Sequence, residues 1–235
     1  MPTRGNLIAI EGIDGSGKRT QVDLLAKALT ARGYSLYSTS FPQYESWFGG
    51  MVGRFLNGEF GSLESVDPHF AALLYAGDRF EAKGKLEAAL NSGQNVLADR
   101  YIASNLAHQG ARLSESQRAA FLLWIEHLEY EIYGLPRESL ILYLRVPPVQ
   151  AQALVTQKAS RTYTSAKQDL QEASLRHLEA AAEMYDQLAT RSPWLTIQCF
   201  DTAANAMRPV DDIAAEVLTS VEPVLTAIAV SNGAP

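Results

Sequence analysis

The chain has 235 residues, 47% of them hydrophobic and 20% charged, and a formal net charge of -6. This balance excludes a disordered chain, and the length suits one α/β domain with a full core better than two ordinary domains. The acidic excess argues against a nucleic-acid coat or a basic membrane-surface patch, while leaving room for a local Arg and Lys cluster that holds a single nucleotide.

In chain order, the first apolar run is Leu7-Ile8-Ala9-Ile10, ended by Glu11. It is too short for a signal-peptide core or a membrane span, and no other stretch reaches spanning length without charge. Five short apolar runs read as strands: Asn6–Ile10, Ser35–Thr39, Asn95–Ala98, Leu140–Leu144 and Leu195–Cys199. Helical stretches separate them. Thr20–Ala31 carries Val22, Leu25, Ala26 and Leu29 at helical spacing, with Gly33 just past its end. Asp67 and Pro68 open a helix as N-cap and first helical residue, and it runs to Leu90. Ser114–Tyr130 opens with a capping-box pattern, and Val149–Thr156, Asp169–Thr190 and Val210–Ala227 complete the set. Residues 230–235 read as a frayed tail. The alternation predicts a doubly wound, five-stranded parallel sheet flanked by helices, with ligands beyond the carboxyl ends of the strands. The single cysteine, Cys199, lies in an apolar run and reads as a buried structural thiol. With no disulfide possible inside the chain, a reducing cytoplasm is the expected setting.

The strongest motif follows the first strand: Gly12-Ile13-Asp14-Gly15-Ser16-Gly17-Lys18-Arg19-Thr20. Its glycines let the backbone turn so that successive N–H groups face phosphate oxygens. The following helix start adds partial positive charge, and Lys18 reaches the β- and γ-phosphates. The residue after the lysine is normally Ser or Thr, whose hydroxyl ligates magnesium. Here it is Arg19, which either neutralises phosphate charge or faces solvent.

The third strand ends in Asp99-Arg100-Tyr101. A carboxylate there, beside a phosphate loop, is placed to hold magnesium, and Arg100 would lie between donor and acceptor phosphates, where a guanidinium stabilises the transferring charge. Phe41-Pro42-Gln43-Tyr44 after the second strand offers aromatics either to a base or sugar or to the core. Gly77, inside Tyr75-Ala76-Gly77-Asp78-Arg79-Phe80, predicts a kink or a close approach to ligand, and Arg79 is a candidate for the acceptor's phosphate or base. His69, His127 and His177 lack metal-ligand spacing and read as structural or exposed.

Taken together, these motifs resemble those of thymidylate kinases. The resemblance covers nearly the whole chain and is carried by Gly12–Thr20, Phe41-Pro42, Asp78-Arg79, Asp99-Arg100-Tyr101 with Ser104-Asn105, Gly134-Leu135-Pro136 and Arg161-Thr162-Tyr163. It implies a single P-loop kinase domain over residues 1–235 with a lid near residues 158–169. It also implies ATP as donor, dTMP as acceptor, Mg²⁺ as cofactor and a homodimer through helices around Asp67–Leu90 and Ser114–Tyr130. By the same resemblance Gly12, Ile13, Asp14, Gly15, Ser16, Gly17, Lys18, Arg19 and Thr20 bind ATP. Lys18, Asp99, Arg100 and the lid residue Arg161 carry catalysis. Asp14 accepts a hydrogen bond from the sugar 3′-hydroxyl and, with Asp99, holds the metal. Phe41, Pro42 and Tyr44 line the acceptor pocket, Tyr75 stacks on thymine, and Arg79 bonds its carbonyl edge. Ser104 and Asn105 hold the base edge with Gln109 nearby, and Tyr163 joins the acceptor residues.

Two positions depart from the family pattern. His108 stands where many bacterial members carry a Tyr against the ribose 2′ position, and it reads either as a sugar contact or as a surface-loop residue. Thr164 stands where relatives place a Glu after the lid Tyr. Two competing readings follow. One is a kinase for another nucleoside or monophosphate, for which Glu45 is the only candidate base of the deoxynucleoside-kinase kind. The other is a nucleotide-binding protein without efficient catalysis.

Overall fold

The computed structural model describes residues 4–156 and 175–230. Five strands, β1 (Leu7–Glu11), β2 (Leu36–Ser40), β3 (Asn95–Asp99), β4 (Leu140–Arg145) and β5 (Trp194–Gln198), form one sheet in the order β2-β3-β1-β4-β5. All four pairings are parallel, and every strand end lies within one residue of the predicted run. Ile8 lies beside Leu97 on one side and Leu140 on the other. Helices cover both faces, so the central strands bury both of theirs, and they read as continuous apolar runs rather than alternating ones. A two-stranded antiparallel hairpin, β6 (Phe200–Asp201) with β7 (Ala206–Met207), follows the sheet.

Eight α-helices occur among the described residues: α1 (Lys18–Ala31), α2 (Trp47–Leu56), α3 (Pro68–Asn91), α4 (Ile102–Gly110), α5 (Glu115–Glu126), α6 (Pro148–Thr156), α7 (Leu175–Leu188) and α8 (Val210–Val230). The starts are chemically marked. Asp67 accepts from the His69 backbone N–H at 2.7 Å with Pro68 as the first helical residue, and Ser46 accepts from Gly49 N–H at 2.9 Å. At the head of α5, the Ser114 backbone N–H donates to Gln117 Oε1, one half of the capping box the sequence announces.

The helices differ from expectation in three places. The stretch predicted as helix to Tyr130 changes at His127 into a π-helical segment, His127–Ile132, whose wider turn carries Glu129 into the interior. α3 runs through Gly77 without a break. A Cβ at Gly77 would sit 2.5 Å from the Phe48 ring, so this glycine lets α2 pack onto α3 rather than making a kink. α2 and α4 were not anticipated. Of the predicted helix Asp169–Thr190, residues 169–174 lie outside the described residues, as does the predicted lid.

The main core lies around β1, β3 and β4, with Ile8, Ile10, Leu97, Leu142 and Leu144 fully buried. A smaller cluster, including Val52, Phe55 and Leu74, fills the space between α2 and α3. Cys199 is buried as expected, and burial pushes its thiol up to about 12.

Glu138, between the π-helical segment and β4, is buried and accepts from the Tyr130 hydroxyl at 2.7 Å, while its Oε1 has no partner among the described residues. Burial raises its pKa to about 7 from an ordinary 4.5. Folding therefore favours the protonated form: the contribution is present below the unfolded value and is lost as pH rises through about 7. Glu138→Gln keeps an acceptor for Tyr130 and cannot ionise. It is expected to be more stable than the parent by on the order of 1–3 kcal/mol at pH 8.5 and nearly equal at pH 5. Urea denaturation at the two pH values checks this, and the same difference at both would contradict it.

Candidate active site

The loop between β1 and α1 is shaped by glycine. Gly15 has φ 87°, and a Cβ there would lie 2.0 Å from the Ala151 carbonyl oxygen of α6, so no larger residue passes. Lys18, the first residue of α1, lays its Nζ across the loop and donates to the carbonyls of Gly12 (2.9 Å) and Ile13 (2.8 Å). Arg19 is exposed and its Nε donates to Asp23 Oδ2 at 3.1 Å, one turn along α1.

Glu11, the last residue of β1, is fully buried. Its Oε1 accepts from the backbone N–H of Tyr101 (2.7 Å) and Ser104 (3.2 Å), at the start of α4. Its Oε2 accepts from the Ser104 hydroxyl (2.6 Å) and the Tyr185 hydroxyl of α7 (2.9 Å). A carboxylate here satisfies N–H groups that the first helical turn leaves open and matches the positive end of the helix.

Arg100, between β3 and α4, has φ 70°, a left-handed conformation that costs a residue with a side chain and that surrounding contacts must hold. Its Nη2 donates to Asp14 Oδ1 at 2.5 Å. Its Nη1 is within reach of the Gly12 carbonyl (3.2 Å), Ser104 Oγ (3.0 Å) and His108 Nε2 (3.3 Å). Burial is the largest single influence and would weaken its charge, but Asp14 together with Tyr185, Asp99 and Glu11 raises the guanidinium's pKa on balance. Arg100 thus joins the glycine loop to α4.

Two neighbours on α3 bind different parts of the fold. Asp78, buried, accepts from the backbone N–H of Gln43 (3.0 Å) and from Ser46 Oγ (2.9 Å), fixing the loop after β2 against α3. Burial raises its pKa above the ordinary value. Arg79 makes a two-pronged ion pair with Glu129, Nε to Oε2 at 2.5 Å and Nη2 to Oε1 at 2.6 Å, with both side chains buried. Burial opposes the Arg79 charge, yet Glu129 carries its pKa upward. Glu129 Oε1 also accepts from Asn105 Nδ2 at 2.9 Å, and the Ala72 carbonyl takes that same amide at 3.1 Å. With Nδ2 facing two acceptors, the Asn105 amide orientation is fixed. Its Oδ1 is buried without a hydrogen-bond partner among the described residues. Arg112 similarly donates to Gln109 Oε1 at 2.6 Å, and Gln109 Nε2 is buried without a hydrogen-bond partner among the described residues.

One pocket gathers these groups. Every residue that the resemblance assigns to the acceptor lines it, apart from Tyr163, which lies outside the described residues. The pocket adds Leu56 of α2. Phe41 serves both of its readings, since its ring packs 5.9 Å from Tyr101 in the core and also borders the pocket. The peptide Phe41–Pro42 is cis. Tyr75 stands edge-on to Phe55, with ring centroids 6.4 Å apart.

Ser104, assigned to the base edge, lines the pocket, and its hydroxyl is engaged by Glu11 and Arg100. His108 is not a surface-loop residue: it lies buried on α4, with its Nδ1 3.3 Å from Nε2 of the equally buried His177. Burial, with the Arg100 charge adding to it, holds the His108 pKa well below the ordinary range. Burial also lowers His177 to about 4. Arg161 and Thr164 lie outside the described residues. The sequence reading missed Glu11, Glu129, Tyr185 and Leu56. Only Glu11 carried a signal, as a charged residue ending an apolar strand directly before the glycine loop.

A 2-3-1-4-5 parallel sheet, a glycine loop running from its central strand into a lysine-headed helix and an arginine facing that loop from the adjacent strand define a P-loop kinase fold. A family model described as "Thymidylate kinase" matches residues 10–203. The chain belongs to the thymidylate kinase family. It is 38% identical over 141 residues to a thymidylate kinase of Mycobacterium tuberculosis, a match spanning 60% of this chain and 65% of that protein. It is 30% identical to a probable thymidylate kinase of Thermococcus onnurineus over 92% of this chain and 96% of the relative. A solved thymidylate kinase from Candida albicans shares the fold, with a TM-score of 0.72, 19% identity, and coverage of 94% and 93% of the two chains.

The Arg79–Glu129 pair sets a stability test. Glu129→Leu leaves a buried guanidinium unpaired and is expected to cost about 3–5 kcal/mol. The double variant Arg79→Met with Glu129→Leu is expected to regain most of that loss. A thermal-denaturation double-mutant cycle measures the coupling, and additive effects of the two substitutions would contradict the pairing.

Proposed function

We propose that the protein transfers the γ-phosphoryl group of ATP to dTMP, giving dTDP and ADP. The observation that carries this reading is a pair of buried amide atoms without hydrogen-bond partners among the described residues, Asn105 Oδ1 and Gln109 Nε2, on two residues that line the pocket together with Arg79. A thymine edge offers an N3–H donor between two carbonyl acceptors. Asn105 Oδ1 would accept the N3–H, and Arg79 and Gln109 would donate to the carbonyls. Cytosine has no proton at N3 and would set a lone pair against Asn105 Oδ1, a mismatch that leaves buried polar groups unpaired.

With the base so held, the acceptor phosphate would point toward Arg100 and the loop that carries Lys18. Its oxygen attacks the γ-phosphorus in line, the P–O bond to ADP breaks, and the electron pair leaves on the β-phosphate oxygen. The attacking phosphate is already ionised, so the step needs no strong base. Lys18 and Arg100 would stabilise the charge spread over the transferring group, and Asp14 would hold the sugar.

Magnesium fits the residues present. Asp14 and Asp99 are half-buried carboxylates by the loop, and no cage of three or more metal-ligating His, Cys, Asp or Glu side chains exists among the described residues. That is the donor set magnesium takes when substrate phosphates and waters complete its shell. Bound there, the ion would neutralise phosphate charge.

A coupled ADP-release assay over dTMP, dUMP, dCMP, dGMP and thymidine, with and without magnesium, tests the reading. Turnover is expected on dTMP far above dCMP and thymidine, and preference for either of those would overturn it. Lys18→Ala is expected to lose at least about a hundredfold in kcat while staying folded.

The second partner in this reading is another copy of the chain. Phe70, Leu73 and Phe80 of α3 and Leu123 of α5 are large apolar side chains left in solvent, at 38–68% exposure. Light scattering after size exclusion is expected to give the mass of a dimer, with Leu123→Glu shifting it toward monomer. No described helix is long and apolar enough to cross a membrane.

A further inference from the structure

We propose that His177 is a positioning residue for phosphoryl transfer: by accepting a hydrogen bond from His108, it fixes the ring face that His108 turns toward Arg100. The proposal rests on the dTMP kinase reading. It begins with what a guanidinium can do. Arg100 has donors only, so in its 3.3 Å contact with Nη1, which also reaches the Gly12 carbonyl and Ser104 Oγ, His108 Nε2 can take part only as an acceptor. A neutral imidazole carries one proton, which then belongs on Nδ1. Nδ1 lies 3.3 Å from His177 Nε2, which must accept in turn and keep its own proton on Nδ1. The three side chains form a one-way series, Arg100 to His108 to His177. The opposite His108 tautomer would set N–H against N–H at Arg100 and lone pair against lone pair at His177.

The surroundings keep both rings neutral. His108 faces Arg100, Asp14 and Lys18 as well as His177, and its ring stands nearly perpendicular to that of Tyr185, with centroids 6.0 Å apart. His177 senses Asp14, Arg112 and Glu64. For each ring burial is the largest influence and favours the neutral form, so the accepting lone pairs persist at neutral pH. His177 lies on α7, about two turns before Tyr185, whose hydroxyl bonds Glu11. One helix therefore meets the Arg100 network at two points. The arginine held this way is in the left-handed region at φ 70° and depends on its contacts for that conformation.

The test compares the parent with His177→Leu, which cannot accept, and His177→Gln, whose amide oxygen can. Under saturating ATP and dTMP, His177→Leu is expected to lower kcat about tenfold with the KM for ATP unchanged, and His177→Gln to recover most of it. Thermal melts show whether each variant is folded. Long-range ¹⁵N NMR of the parent is expected to show His108 protonated at Nδ1, a readout that does not depend on activity. Three results overturn the proposal: a folded His177→Leu with parental kcat, equal impairment of Leu and Gln variants, or His108 protonated at Nε2. Should the parent fail to phosphorylate dTMP, the functional reading falls, and the NMR tautomer still decides whether the series of bonds exists.

Discussion

The carboxylate of Glu11 is buried where β1 gives way to the phosphate loop, and four donors converge on it: two backbone N–H groups, a serine hydroxyl and a tyrosine hydroxyl. An ion removed from water without partners costs several kcal/mol, so this residue is tolerable only with that full set. The donors belong to the turn before α4, to α4 itself and to α7. Wherever Glu11 sits, those elements must come. Arg100 lies in the turn so fixed, with its backbone N–H on the Ile10 carbonyl at 3.0 Å, and its side chain has little choice but to face Asp14 and Gly12.

A second buried charge shapes the far end of the pocket. Glu129 holds Arg79 with one oxygen and shares the other between Arg79 and Asn105, so one carboxylate orients two groups of the proposed base site. Because Asp78 precedes Arg79 on α3 and binds the loop after β2, one turn of helix sets both the floor and one wall of the pocket. Rigidity of this kind lets a few polar atoms discriminate between bases of nearly equal size.

The five strands were legible because central parallel strands are apolar on both faces and punctuated by polar turns. The phosphate loop was legible because its glycines and lysine are demanded by backbone geometry and charge. α2 was hidden by composition, since Trp47-Phe48-Gly49-Gly50-Met51-Val52-Gly53 sets three glycines against the helix. α4 was hidden by its surroundings. Every residue from Ile102 to Gly110 is buried, so no polar face marks a helical period, and His108 could pass for a loop residue. The π-helical turn at His127 has no local signature, because it answers to Arg79, 50 residues away in sequence. Most of the pocket residues were readable through family resemblance, whereas the groups that orient them were not, since their roles arise only from contacts across the fold.

The sheet order also dictates when this site can exist during synthesis. β1 lies at the centre and pairs with β3 and β4, so a chain extended from its amino end has the phosphate-loop sequence long before it has either neighbour. The partners of Glu11 are 90, 93 and 174 residues downstream. Closing such separations is entropically slow, and domains with distant pairings acquire their order late. The first-made segment of the site therefore lacks one partner of its buried carboxylate until α7 has been synthesised.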